Sequence, residues 1–177
     1  MQQMLANLRA RREDERGFTL IELMVVVLII AILIAIAIPT FLGAKSRAQD
    51  KAAQSSLRNA LTNAKGIYTD TDSYTGATTT ALAAAEPSLT FSASGTASTG
   101  AKNVSVNPQS TYVIMTAKSA SNVCYAIGDW STGGTFFAKL ATGACSGSNA
   151  ATTLGTAVPT PASTSNSTTP DAWVAAW

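Results

Sequence analysis

Apolar side chains dominate the chain from Phe18 to Leu42, and between Leu23 and Ile38 no side chain is polar. The interruptions are Thr19, Glu22, Pro39 and Thr40. At about 1.5 Å per residue, a helix of this length crosses a hydrocarbon core about 30 Å thick. The pattern therefore predicts a helix that can span a membrane.

Beyond Pro39 the apolar positions become periodic, at spacings typical of one helix face. They are Ala44, Ala48, Ala52, Leu57, Ala60, Leu61, Ala64, Ile67 and Tyr68. Polar and charged residues fill most of the positions between them, which predicts an amphipathic helix to about Tyr68. The polar run 69–73 then favours a turn. Pro39 removes one backbone donor, so we expect a kink or a local loosening of the helix there.

Runs rich in β-branched and aromatic residues follow. They are 111–117, 122–127 and 135–140, with 102–106 as a weaker edge candidate. The Gly133-Gly134 pair favours a turn, so these runs predict an antiparallel meander. Residues 78–85 are alanine-rich and precede Pro87, which predicts a short helix. The amphipathic helix and the sheet can bury each other's apolar faces, so the predicted fold is α+β, a long N-terminal helix packed on a small antiparallel sheet.

Residues 146–177 are rich in Ser, Thr, Ala and Pro, and Asp171 is their one charged residue. Such a composition buries too little apolar surface to offset the entropy of ordering, which predicts a flexible tail. The run Trp173-Val-Ala-Ala-Trp177 is an exception. Docking of this run on the domain and simple exposure remain equally open.

The residue types restrict the chemistry. The chain has no histidine and two cysteines, so Ser-His-Asp and Cys-His catalytic groups, His-ligated metals and iron–sulfur clusters are excluded. No nucleophile and base can be paired with any specificity, so we predict that the protein is not an enzyme and holds no metal or cofactor. Its 12 bases and 10 acids are too evenly balanced to indicate DNA as a partner, although a local patch stays possible.

Cys124 and Cys145 predict a disulfide if the C-terminal half is exported. Basic residues flank the apolar run on both sides, so charge alone does not orient it. The cysteines and the Ser/Thr-rich C-terminal half favour a single-pass protein with its N-terminus inside the cell.

Three interpretations of the apolar run compete. A cleaved secretory signal has an A-x-A-like site at 35–37, but Glu22 costs about 2.5–3.5 kcal/mol within an inserted helix. A permanent anchor leaves Glu22 and Pro39 without a purpose. The third rests on Gly17-Phe-Thr-Leu-Ile-Glu-Leu23, which follows a basic leader and precedes the apolar run. This signature closely resembles the N-terminus of type IV pilins and their relatives.

The resemblance implies that a prepilin peptidase cuts between Gly17 and Phe18 and that the new amine of Phe18 is methylated. With the patterns above, the predicted organisation is a leader (1–17), a transmembrane and filament-core helix (18–42), an amphipathic helix (43–70), a globular β domain (71–145) and a tail (146–177). The resemblance covers residues 1 to about 70, and beyond them only the architecture, a sheet on a helix, is similar. The sequence departs from the family in two respects. No glycine lies between Phe18 and Pro39, and the leader is longer than the shortest of its class.

Cleavage would give Glu22 a partner. The new α-amine, with an ordinary pKa of about 7.7–8.0, lies four residues away on a helix. In packed chains Glu22 can meet the Phe18 amine of a neighbour and set the axial register, because losing one partner of a buried pair costs about 3–5 kcal/mol. The alternative is an acid that reaches a lipid headgroup near the helix end.

The resemblance further implies a structural major pilin that polymerises into an extracellular type IV pilus for adhesion, motility or DNA uptake. Its partners would be other pilin subunits, the prepilin peptidase and methylase, and the assembly platform with its ATPases. It would lie in the cytoplasmic membrane before assembly and on the cell surface afterwards. A type II secretion pseudopilin or minor pilin, and a membrane-tethered module that never polymerises, are the alternatives.

Overall fold

The structure is a computed structural model and describes residues 17–140, 144–159 and 172–177. The chain divides into two compact units, residues 1–44 and 45–177. Helix α1 comprises Leu20–Thr71, so its first part belongs to the first unit and its remainder to the second. Each unit is described separately.

The first unit presents apolar side chains without covering them. Every residue from Phe18 to Leu42 is exposed. An 18-residue window of α1 has a mean hydropathy of 3.3, which by length and composition suffices to cross a membrane. The helix continues through Pro39, and the Thr40 hydroxyl donates to the Ala37 carbonyl at 2.9 Å. A kink at Pro39 stays a prediction.

The second unit contains a five-stranded sheet in the order β1-β2-β3-β4-β5. The strands are β1 (Thr90–Ala93), β2 (Asn103–Pro108), β3 (Tyr112–Lys118), β4 (Cys124–Trp130) and β5 (Gly134–Leu140). Strands β2 to β5 form the predicted antiparallel meander. Strand β1 was not predicted, and it pairs parallel to β2.

Two short helical segments precede the sheet. A 3₁₀ turn spans Tyr74–Gly76, and helix α2 spans Thr79–Ala85. The Thr78 side chain caps α2 by accepting from the Ala81 amide, and the helix ends before Pro87. The predicted helix over 78–85 is therefore confirmed.

One face of the sheet packs against the C-terminal part of α1. Ala53, Leu57, Ala60, Leu61 and Ala64 are buried there against sheet residues. The sheet covers this helix face from Ala53 onward, whereas the earlier periodic alanines are exposed. These exposed residues are Ala44, Ala48 and Ala52. Alanine is a good helix former on exposed and buried surfaces alike, so its spacing alone does not locate the contact.

The opposite face of the sheet is covered by chain that was expected to be a flexible tail. Helix α3 (Gly147–Leu154) begins at the Ser146 cap and buries Ala150, while Trp173 and Val174 are also buried. The cap and the small residues of α3 supply order that composition does not reveal. The tail prediction is wrong for 147–154, whereas the burial of Trp173 and Val174 answers the question left open for the terminal run in favour of docking. Residues 160–171 lie outside the described residues.

Candidate functional site

The start of α1 is held by a reciprocal pair of side chains. The Glu22 carboxylate accepts from the Thr19 amide at 2.9 Å and from the Thr19 hydroxyl. The Glu22 amide in turn donates to the Thr19 hydroxyl oxygen at 3.2 Å. This is a capping box, in which two otherwise unpaired helix donors are satisfied. Sequence reasoning treated Glu22 as a charge only, although the T-x-x-E spacing before an apolar run carries this signal.

Gly17 and Phe18 lie immediately before the helix, in exposed chain without regular secondary structure. The Phe18 side chain is 77% exposed. A Cβ atom added at Gly17 would meet nothing within 4 Å. The described fold therefore does not require glycine at this position, and the bond between Gly17 and Phe18 is accessible.

The apolar surface of the first unit is contiguous with the capping box. None of its large side chains between Leu20 and Leu42 is less than 46% exposed. Exposed apolar patches above a few hundred Å² mark contact with lipid or with another chain. This segment can therefore bury its apolar side chains against an apolar partner, and Glu22 is its one acidic residue.

Comparison with protein families matches residues 13–38 to the prokaryotic N-terminal methylation motif. The chain thus carries the type IV prepilin-like signature, which supports a type IV pilin-like or pseudopilin precursor. Neither the curated proteins nor the solved structures gave a match. The match includes Gly17, Phe18, Thr19, Glu22 and the apolar segment as far as Ile38.

The predicted disulfide is present. Cys124, the first residue of β4, is bonded to Cys145 with an S–S distance of 2.06 Å and a Cα–Cα distance of 5.5 Å. Cys145 immediately precedes Ser146, the cap of α3. The bond therefore ties the start of α3 to a central strand of the sheet.

A buried carboxylate joins α1 to the sheet, and sequence reasoning missed it. Asp129 on β4 is 4% exposed and accepts from Lys65 Nζ at 2.8 Å. The hydroxyls of Tyr74 and Thr135 also donate to this carboxylate. Burial, followed by the hydrogen bond to Asp129, raises the pKa of Tyr74. Nothing in a single strand aspartate signals that Lys65 and Tyr74, far away in the sequence, are its partners.

A second polar contact joins the sheet to α1, nearer the start of the helix than Lys65. The Ser121 hydroxyl, in the β3–β4 turn, donates to Asp50 of α1. Burial of Tyr125, followed by the negative charge of Asp50, raises the pKa of Tyr125 to about 12. Asp50 and Asp129 thus connect α1 to the sheet at two positions along the helix.

The acidic and cysteine side chains do not assemble into a ligand set. In residues 17–140, 144–159 and 172–177, no group of three or more His, Cys, Asp or Glu side chains is placed to hold a metal ion. Asp50 and Asp129 instead serve contacts between α1 and the sheet.

Proposed function

We propose that this protein is the precursor of a structural pilin, processed between Gly17 and Phe18, methylated on Phe18 and polymerised as the major subunit of an extracellular type IV pilus. It performs no catalysis of its own. A prepilin peptidase and methylase, an assembly platform and its ATPases act on it, and the membrane holds it before assembly.

One observation carries this proposal. The prepilin-like signature introduces an apolar helical surface, Phe18 to Leu42, that the protein itself leaves entirely exposed. Lipid can cover this surface before assembly and identical helices can cover it afterwards. Because helix packing needs only van der Waals complementarity, the same Leu, Ile and Val side chains serve both environments.

The accessibility of the Gly17–Phe18 bond supports the processing step. The bond precedes α1, so a peptidase need not unwind the helix to reach it. The described fold does not require glycine at position 17, which supports recognition by the processing enzyme as the reason for it.

Glu22 then has two separable roles. Within one chain its carboxylate caps α1 through Thr19. Between chains its negative charge pairs with the Phe18 amine of a neighbour and fixes the axial register. A chain out of register would leave both charges buried and unpaired, at about 3–5 kcal/mol for each broken pair.

Substitution of Glu22 by glutamine separates these roles. Glutamine still forms a capping box but carries no charge. We expect Glu22→Gln chains to be processed and retained in the membrane while fibres fall by more than about a hundredfold, the factor that 3 kcal/mol supplies. Thr19→Ala is the matched control, because it removes the cap, worth about 1 kcal/mol, and keeps the charge. Its fibres should persist.

The measurement combines electron microscopy of sheared surface material, peptide identification and mass spectrometry of the mature N-terminus. Normal fibres from Glu22→Gln would refute the register role, and a mature chain that begins elsewhere than Phe18 would refute the processing step. If the parent forms no fibres that consist mainly of this chain, the pseudopilin, minor pilin or tethered-module alternatives replace the major pilin.

A further inference from the structure

Residues 172–177, here called the strap, lie along the outer edge of the sheet. Strand β5 is the last strand in the sheet order, so among the described residues one of its sides faces no other strand of the sheet. Val174 covers that side opposite Phe137: the Phe137 amide donates to the Val174 carbonyl at 2.9 Å, and the Val174 amide donates to the Phe137 carbonyl at 2.7 Å. The strap therefore supplies both backbone partners of Phe137.

The two tryptophans of the strap pack on opposite faces of the sheet. Trp173 is 6% exposed and lies edge-on to Trp130, in the cluster beneath α3, with ring centroids 5.1 Å apart. Trp177 packs on the face of α1, with its ring 4.7 Å from that of Phe137. The guanidinium of Arg58 lies 5.1 Å from the Trp177 ring, a cation–π arrangement. Aromatic contacts on both faces therefore hold the strap on the strand.

Without the strap, the outer edge of β5 would be open to pairing with other chains. An uncovered edge offers unpaired amides and carbonyls to any extended chain. Strand β5 adds two adjacent phenylalanines, and its one charged residue is Lys139. Short segments with high β-propensity and low charge are the ones that pair between molecules.

The best-matched partner for a bare β5 edge is β5 of a second copy. In an antiparallel pair about a two-fold axis, one residue lies opposite its own equivalent and exchanges both backbone bonds with it. A pair centred on Phe137 would reproduce the two bonds that Phe137 now forms with Val174. We propose that the strap is an autoinhibitory cover that keeps the β5 edge from pairing with β5 of another copy. The proposal does not depend on the pilus.

The test uses the full chain in detergent micelles and the variant Val174→Pro, which removes the amide that donates to Phe137. Hydrogen exchange of β5 reports release of the strap. An amine-reactive cross-linker, read by mass spectrometry, reports pairing, because a Lys139–Lys139 link must join two copies. We expect about tenfold faster exchange in β5, the effect of losing about one net hydrogen bond, together with the link. Ala176→Pro, at an exposed strap position, is the control and should resemble the parent.

Faster exchange in β5 without a Lys139–Lys139 link above the control would overturn the proposal, since the edge would be bare yet unpaired. Unchanged exchange would overturn it too, since the strap would then not protect the edge. Exchange of β3 in the same samples shows whether the domain stays folded. If Val174→Pro unfolds it, Trp177→Ala leaves all backbone groups in place and is judged by the same two measurements.

Discussion

At the scale of single residues, Asp129 makes the most consequential polar contacts of the second unit. Its buried carboxylate is satisfied by Lys65, Tyr74 and Thr135 together, whereas the Lys65 side chain is 47% exposed. Water can solvate the ammonium group if the carboxylate is lost, but the buried Tyr74 hydroxyl would have no substitute. Loss of Asp129 and loss of Lys65 should therefore have different effects on the stability of the domain.

This asymmetry predicts unequal effects of truncation. Asp129→Ala should lower the free energy of unfolding by about 1–3 kcal/mol, because it leaves the buried Tyr74 hydroxyl without its acceptor while water solvates Lys65. Lys65→Met should cost more, about 3–5 kcal/mol, because it leaves the buried Asp129 carboxylate without its cation. Thermal unfolding of the full chain in detergent, followed by circular dichroism, measures both. Exposed Asp70→Ala is the control, and equal losses from Asp129→Ala and Lys65→Met would contradict the prediction.

At the scale of elements, glycines in α1 and β4 differ in what surrounds them. A Cβ atom at Gly66 of α1 would meet nothing within 4 Å, whereas one at Gly128 of β4 would lie 2.6 Å from Trp130 and 2.8 Å from Trp173. The helix therefore tolerates a methyl group, and the strand needs its absence so that the indole rings can cross it.

Substitution of glycine by alanine should therefore change the free energy of unfolding in opposite directions at the two positions. Gly66→Ala should stabilise the protein by about 0.5–1 kcal/mol, because alanine loses less entropy in a helix. Gly128→Ala should destabilise it by about 1–3 kcal/mol, because the added methyl group forces the tryptophans apart. Denaturant unfolding followed by tryptophan fluorescence compares them. If both variants were more stable than the parent, or both less stable, the packing argument would be refuted.

The elements predicted correctly are those with a strong local pattern. Helix α1, helix α2 and strands β2 to β5 follow from periodicity and turn residues that lie next to each other in the sequence. Strand β1 is four residues long and half polar, and only its pairing with β2 defines it. Helix α3 has a composition typical of loops. Gly147 lets the start of α3 lie close to β2, since a Cβ atom at position 147 would lie 2.9 Å from the backbone nitrogen of Asn107.

The residues of the candidate site also divide into those that the sequence predicts and those that it does not. Glu22, Phe18 and Gly17 are recognisable because the signature is contiguous in the sequence, and the cysteine pair because no other cysteines compete. The strap and the Asp129 cluster join residues far apart in the chain, such as Val174 with Phe137 and Lys65 with Asp129. No periodic pattern encodes such contacts, because they depend on how distant segments are placed in the folded domain.

At the scale of the whole molecule, the two units depend on different surroundings. The first exposes its apolar residues and requires lipid or other chains to cover them. The second buries both faces of its sheet, and within it Asp50 and Asp129 each lie against a tyrosine. Global unfolding of the second unit should therefore respond to the ionisation of those tyrosines.

The expected response is a loss of stability in alkaline solution. Burial and then Asp50 raise the pKa of Tyr125 to about 12, and burial and then Asp129 raise the pKa of Tyr74, both from an ordinary value of 10.0. Above that ordinary value the unfolded chain loses protons that the folded domain still holds, so stability falls as pH rises. This contribution is complete below pH 10 and is lost as the pH rises through the raised folded-state pKa values, about 12 for Tyr125. Melting temperatures of the parent and of Tyr125→Phe, measured from about pH 9 to about pH 12, test it. The decline should be shallower in Tyr125→Phe, and an identical decline in both proteins would show that Tyr125 does not contribute.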